Sequence, residues 1–240
     1  MKVGSVTKIM RHPVKSFTGE SVESVEVMSY GLYGDRSHAF IDKKSGKYVT
    51  ITQYPNMVTY RARFIGEEKA DVFPRIEIST NDGSTYDWND DDLLKRISQE
   101  SNRQIDRVTY QPDFVPFPAI EEDNLLLIST TSLRELENTY GEEVDERRFR
   151  GNIIYEIENK ELTEDNLIGK VLCIGNDVKI RVNKYCERCM IITVNPETGT
   201  KDPKLLKQIV KERSNHFGLY GSVLQTGKIK VGDSIQIKDE

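Results

Sequence analysis

The chain has 240 residues, long enough for one large β domain or two modest ones, and its 37% apolar and 30% charged content describes a well-charged globular protein. A net charge of −5 excludes a nucleic-acid binder that relies on a broad basic face, and three cysteines argue against a disulfide framework. The apolar runs Leu125 to Ile128 and Met190 to Ile192 fall far short of the roughly 20 residues of a membrane span. Met1-Lys2-Val3-Gly4 leads straight into a strand pattern with no apolar leader. We therefore expect a cytoplasmic protein with neither membrane nor nucleic acid as partner.

In chain order, Val3 to Met10 and Ser21 to Met28 read as strands separated by the turn residues of His12-Pro13-Val14-Lys15-Ser16-Phe17-Thr18-Gly19. Gly31-Leu32-Tyr33-Gly34-Asp35-Arg36 is a glycine-punctuated loop able to hold Arg36 in a fixed place. Ala39 to Asp42 and Lys47 to Thr52 flank Lys43-Lys44-Ser45-Gly46 as an expected hairpin. Val58 to Phe64 alternates strictly, with Val58, Tyr60, Ala62 and Phe64 on one face, and Arg75 to Ser79 and Ser84 to Trp88 form a second hairpin. A helix from Leu93 to Glu100 follows carboxylates placed where the helix dipole favours them, and Ile105 to Tyr110 is a further strand. Gln111 to Pro118 carries three prolines, so the domain division is expected there, with residues 1–112 before it and 119–240 after.

The second segment opens with the strand Leu125 to Ile128, and a hydroxyl residue of Ser129-Thr130-Thr131-Ser132 caps a helix running to Tyr140 and ended by Gly141. Strands are expected at Ile153 to Ile157, Lys170 to Ile174 and Val178 to Val182, and a helix at Pro203 to Arg213. Asn215 to Tyr220 reads as a loop, Val223 to Leu224 as a short strand, and Lys228 to Ile237 as a closing hairpin. Many short strands with few helices make the fold class mainly β, a barrel-like architecture with an antiparallel β domain at the N-terminus.

Chemistry concentrates in Lys184-Tyr185-Cys186-Glu187-Arg188-Cys189-Met190, followed by an expected strand from Met190 to Val194. A structural zinc site needs four ligands, yet only Cys173 and the unpaired His12, His38 and His216 remain to complete one. A thioredoxin-like pair sits at a helix N-terminus, whereas a strand is expected here. Both thiols could be plain packing groups. The cationic neighbours instead favour thiolate, which could ligate a soft metal or carry sulfur. Lys15-Ser16, Arg36, Arg148 and Arg150-Gly151-Asn152 lie at turn-rich joints beside strand ends, where guanidinium forks, a hydroxyl and an amide suit a phosphate or an anionic heterocycle.

His12-Pro13-Val14-Lys15-Ser16 and Gly31-Leu32-Tyr33-Gly34-Asp35-Arg36 resemble the N-terminal β-barrel domain that precedes many MOSC domains. Arg148-Phe149-Arg150-Gly151-Asn152, Cys186-Glu187-Arg188-Cys189, Asn195-Pro196-Glu197-Thr198-Gly199, Phe217-Gly218-Leu219-Tyr220 and Gly227 to Asp233 resemble the MOSC domain itself, which is related to the C-terminal domain of molybdenum cofactor sulfurase. The resemblance implies molybdenum cofactor (molybdopterin) bound with Cys189 as metal ligand and catalytic thiol. The cofactor-binding set it implies is Lys15, Ser16, Arg36, Arg148, Arg150, Asn152, Arg188 and Tyr220.

In the amidoxime-reducing group of this family the activity is reduction of N-hydroxylated small molecules, with electrons from a separate donor protein. The alternative is a sulfur carrier that receives a Cys189 persulfide from a desulfurase for cofactor or metal-sulfur biosynthesis, and a third reading is a cofactor-storage module. Three positions depart from the usual wording: His12 in place of tyrosine, Gly151 in place of proline and Glu187 in place of serine.

Overall fold

The computed structural model describes residues 1–238. Its first half runs β1 (Lys2–Arg11), β2 (Glu20–Val22), β3 (Ser24–Met28), β4 (Gly31–Leu32), β5 (His38–Asp42), β6 (Arg61–Ile65), β7 (Arg75–Ser79), β8 (Thr85–Asp87), α1 (Asp91–Ser101) and β9 (Ile105–Thr109). The second half runs α2 (Phe117–Ile120), β10 (Leu125–Ser129), α3 (Thr130–Tyr140), β11 (Ile153–Ile157), β12 (Val171–Ile174), β13 (Val178–Glu187), α4 (Lys204–Arg213), β14 (His216–Gln225), β15 (Gly227–Lys230) and β16 (Ser234–Ile237). The protein is mainly β with a few helices. Among the described residues no helix is long and apolar enough to cross a membrane.

The largest sheet follows the order β11-β10-β14-β13-β12-β16-β1-β2, and β1 also pairs with β11, closing seven strands into a barrel that β2 extends at one seam. Closure removes the unpaired strand edges that an open sheet of this size would expose. Alternate residues point inward, so Val3, Val6, Leu127, Tyr155, Leu172, Ile180, Leu219 and Ile235 share one core. The chain's first strand therefore completes a barrel whose other six strands all come from beyond residue 124. β3 likewise pairs with β15, Val25 opposite Ile229.

The remaining strands form smaller sheets, β5-β9 and β6-β7-β8, around Phe17, Phe40, Tyr60, Ile78 and Trp88, with Leu93 and Ile97 of α1 packed in. Asp90 caps α1 by accepting from Asp92 N–H. A third core, with Ile128, Leu136, Phe149, Ile192, Ile209 and Phe217, fills the space between the barrel and helices α3 and α4. Ser129 is the hydroxyl that caps α3, and Gly141 ends it in the left-handed region.

Four local expectations outside the thiol stretch are overturned. The strand 58–64 begins only at Arg61, because Pro55 starts a 3-10 turn over Pro55–Thr59; the buried face of Val58, Tyr60, Ala62 and Phe64 survives the change. The hairpin 39–52 does not form as a ladder. β5 instead pairs along its length with β9, and residue 48 contributes one isolated bridge to Ile41 while Val49 and Ile51 turn into the core. Residues 216–220 are not a loop but the start of β14, while Asn215 stays in the turn before it; Gly218 is needed there because it holds φ 83° and a Cβ would lie 2.8 Å from the Leu127 carbonyl oxygen. The closing hairpin separates: β15 joins β3, whereas β16 joins β1 and β12.

The barrel seam gives a direct test. A Cβ on Gly4 would lie 1.7 Å from Glu156 O of β11, a backbone atom that cannot move without breaking the β1–β11 ladder. Gly4→Ala is expected to lower unfolding free energy by more than about 1 kcal/mol, the centre of the range for point substitutions, read as a lowered denaturant midpoint.

Candidate functional site

One cleft is lined by Arg36, Glu121, Arg150, Asn152, Cys186, Arg188, Cys189 and Tyr220, with Ile120, Leu126, Phe149 and Ile191 as its apolar wall. Lys15 and Ser16 line an adjoining recess that shares Glu121, Arg150 and Ile191 with it. Residues from the first strand's exit, the glycine loop, the turn before β11, the end of β13 and the middle of β14 thus meet at one end of the barrel. Arg148 does not join them. Its Nη1 donates to Ile192 O at 3.1 Å, bracing the turn after Cys189 from outside the cleft.

The backbone is bent to make this meeting possible. Ser16, Arg36, Glu121 and Arg150 all hold positive φ, at 73°, 53°, 147° and 57°, conformations that cost a residue with a Cβ about 1–3 kcal/mol. The other non-glycine residues in that region, Asn102, Ser214 and Asn215, follow helix ends, where such a turn is ordinary. Glu121 and Arg150 likewise follow short helical turns, Phe117–Ile120 and Glu146–Phe149, so among the described residues Ser16 and Arg36 are the non-glycine residues that hold positive φ away from a helix end, and they line the cleft and its adjoining recess.

Asp35 holds the floor together. Its carboxylate accepts from His12 N–H at 2.7 Å, from Asn152 Nδ2 at 3.1 Å and from Arg36 Nη1. Burial alone would raise its pKa, but the Arg36 charge and the His12 hydrogen bonds outweigh it and hold the carboxyl below the usual range. Asn152 is fully committed: its Oδ1 accepts from Leu126 N–H at 3.1 Å while its amide serves Asp35. It orients the floor rather than facing the cleft with free donors.

The cations are only partly matched. Arg150 donates from Nη1 to Phe17 O at 2.9 Å, and Arg36 from Nη2 to Arg150 O at 3.4 Å, while Arg150 Nη2 and Arg36 Nε find no partner. Burial and the Arg36 charge press the Arg150 pKa down to about 9, still high enough to keep the guanidinium charged at neutral pH. Lys15 Nζ bonds Glu121 Oε1 at 2.7 Å and Ala119 O at 2.9 Å. Burial lowers its pKa, and the Glu121 carboxylate opposes that shift.

Arg188 turns inward, donating to Cys186 Sγ at 2.8 Å and Phe149 O at 2.9 Å and leaving its Nε without a partner. Cys186 is 2% exposed and Cys189 is exposed, so one thiol is in the wall and the other faces solvent. Tyr220 keeps its hydroxyl protonated, since burial and then Cys186 raise its pKa. The expected strand after Cys189 is a 3-10 turn, Met190–Thr193, with Cys189 at its N-cap; Ile192 is buried and Met190 is 51% exposed, a spacing no strand would give. A turn of this length has too few aligned peptide dipoles to act as a thioredoxin-type helix terminus.

Among the described residues no three His, Cys, Asp or Glu side chains gather to hold a metal. A metal at Cys189 therefore needs ligands from a bound group, and the orphaned N–H donors of three buried arginines fit a group that brings anionic oxygen. Sequence pattern pointed to Lys15, Ser16, Arg36, Arg150, Arg188 and both thiols. Glu121 carried no such signal, and Asp35 was visible only as a loop residue before Arg36.

Comparison with known proteins agrees with this layout. Residues 106–236 match the family model of the MOSC domain, and residues 3–103 that of the MOSC N-terminal beta barrel domain. Mitochondrial amidoxime-reducing component 1 of Danio rerio is 26% identical over 279 residues, covering 98% of this chain and 85% of its own length. Molybdenum cofactor sulfurase of Drosophila persimilis is 32% identical over 150 residues, covering 61% of this chain and 18% of its own. The crystal structure of the YUAD protein from Bacillus subtilis, 12% identical, covers 98% of this chain and 95% of its own with a TM-score of 0.52, a likeness of fold alone.

The buried histidines make stability depend on pH. Burial, then the Arg150 charge, lowers the His12 pKa from 6.5 to about 4, and burial lowers that of His38 to about 3. Between these values and 6.5 only the unfolded chain takes up the proton, so stability rises with pH and is lost as pH falls below 6.5. In denaturant titrations from pH 7 to 5, His38→Gln is expected to flatten this loss by about 1 kcal/mol per pH unit.

Proposed function

The chain belongs to the MOSC family, and from that premise we propose that it binds molybdenum cofactor through Cys189 and reduces N-hydroxylated compounds with electrons from a separate protein. The observation that carries this reading is one cleft holding an exposed thiol beside three buried guanidinium groups with unpartnered N–H donors. The relatives named for amidoxime reduction and for molybdenum cofactor sulfuration support the cofactor class. With only three cysteines the chain cannot build a four-thiolate cluster beside Cys189, hence the external electron donor.

When bound, the cofactor supplies two-electron redox chemistry and a metal able to accept oxygen. The chain's own residues do the rest. Cys189 offers its thiolate as the protein ligand, a soft donor suited to such a metal. Lys15, Arg36 and Arg150 balance phosphate charge, with the Ser16 hydroxyl as a further donor. Asp35 and Asn152 hold Arg36 and the β11 turn in register, so that the cations are fixed before any ligand arrives. Ile120, Leu126, Phe149 and Ile191 keep water from one side of the cleft, and the Tyr220 hydroxyl, held protonated, is a hydrogen-bond donor within it.

A second reading, sulfur transfer through a Cys189 persulfide, is favoured by the exposure of that thiol to a protein-sized donor. Purification from a host that makes molybdenum cofactor separates the two. Molybdenum and pterin near one per chain, lost in Cys189→Ala, with reduction of hydroxylamine-type substrates by a chemical donor, is the expected result. Cofactor-free protein carrying cyanide-releasable sulfur on Cys189 would establish the carrier instead. Arg150→Ala is expected to lower cofactor retention at least tenfold, on the order of the 1.5–3 kcal/mol of a charge-assisted hydrogen bond.

A further inference from the structure

The cleft has two charge poles. Arg36, Arg150 and Arg188 are buried in it, and Glu121, Asp123 and Glu187 line it as well. Two of these carboxylates are engaged, Glu121 with Lys15 and Asp123 with Asn183. Among the described residues Glu187 makes no side-chain hydrogen bond or ion pair, although it lies two positions from the thiol. Its nearest basic neighbour along the strand, Lys184, bonds Glu122 at 2.8 Å, and its cross-strand neighbour His216 packs on Tyr185 with ring centroids 5.6 Å apart.

From this layout we propose that Glu187 is a specificity-determining residue whose carboxylate selects N-oxygenated substrates that are cationic, or become cationic on reduction, over anionic ones. The proposal rests on the reductase reading of the cleft. In that reaction an N–OH group takes up two electrons from the donor protein and two protons, the N–O bond breaks and water leaves. Where the reduced nitrogen belongs to an amidine, the product takes a further proton and becomes an amidinium. A carboxylate on the wall is complementary to that product and repels a substrate bearing its own carboxylate. Glu187 is exposed at the cleft rim, so this attraction has the modest size of a solvated charge pair.

The same negative charge has no counterpart in the pole that suits an anionic cofactor. None of the three arginines donates to Glu187: Arg36 bonds Asp35, Arg188 bonds Cys186 and Phe149 O, and Arg150 bonds Phe17 O. The two poles serve different ligands, which is why a carboxylate can stand near a cation-rich floor without closing on it.

Two measurements test the proposal, each on Glu187→Gln, which keeps the side chain's size. Benzamidinium chloride is titrated calorimetrically into the purified full-length protein, and the cofactor-loaded protein is assayed with benzamidoxime and with its para-carboxylate analogue. The expected result is an amidinium Kd about twofold to fivefold weaker in Glu187→Gln. The KM penalty of the carboxylate analogue shrinks by a similar factor, with kcat little changed. Unchanged Kd and an unchanged KM ratio overturn the proposal. If the loaded protein reduces neither compound but amidinium binding still weakens in Glu187→Gln, the reductase reading falls while charge selection by Glu187 stands.

Discussion

A carboxylate taken out of water must be met by donors on nearly every side, and Asp35 is the place where this protein meets that demand. Its donors come from three stretches far apart in sequence: the exit of β1 at His12, the glycine loop at Arg36 and the turn before β11 at Asn152. Removing the carboxylate would leave a buried guanidinium, an amide and a backbone N–H unsatisfied together. The cleft floor is therefore a by-product of solving one electrostatic problem. Of the cations beside it, Arg36 is held by Asp35 and bonds the Arg150 carbonyl, whereas Lys15 is held by Glu121 and Arg188 by Cys186 and Phe149 O.

Positive charge remains in excess around that hub, and the backbone shows the same bias. Ser16, Arg36, Glu121 and Arg150 sit in conformations that glycine tolerates and other residues resist. The barrel can bear this strain because its seven closed strands and continuous apolar interior over-determine where each turn must end. Rigid strands on one side and bent turns on the other place donors where relaxed loops would withdraw them. Unpartnered N–H groups in a buried wall have the same meaning: the fold keeps them available at a cost it meets elsewhere.

Much of the site was legible from residue chemistry. Lys15, Ser16, Arg36, Arg150 and the Cys186 to Cys189 stretch are the soft and cationic groups at strand ends, and all of them converge. Arg148 shows the limit of that reasoning, because adjacent arginines on a turn point in different directions and only one can face a given cleft. Asn152 shows another. An amide that looks suited to a ligand is already used up by Asp35 and the Leu126 backbone.

By itself the sequence determined the β class, three of the four helices from their caps and apolar spacing, and the concentration of thiol and guanidinium chemistry in a few turns, since each of these is set by neighbours along the chain. α2, a single turn that follows Pro116 and contains Pro118, was not among them. Tertiary structure alone decided strand partners. β5 prefers β9 over the nearby 47–52 segment, β15 and β16 part company, and β1 crosses the expected division at 112–119 to close the barrel. The physical reason is that a ladder is chosen by which apolar faces can be buried together, and that choice compares segments far apart along the chain. The same comparison brought Glu121 over Lys15 and left Glu187 uncommitted beside Cys189, two facts that no local pattern contains.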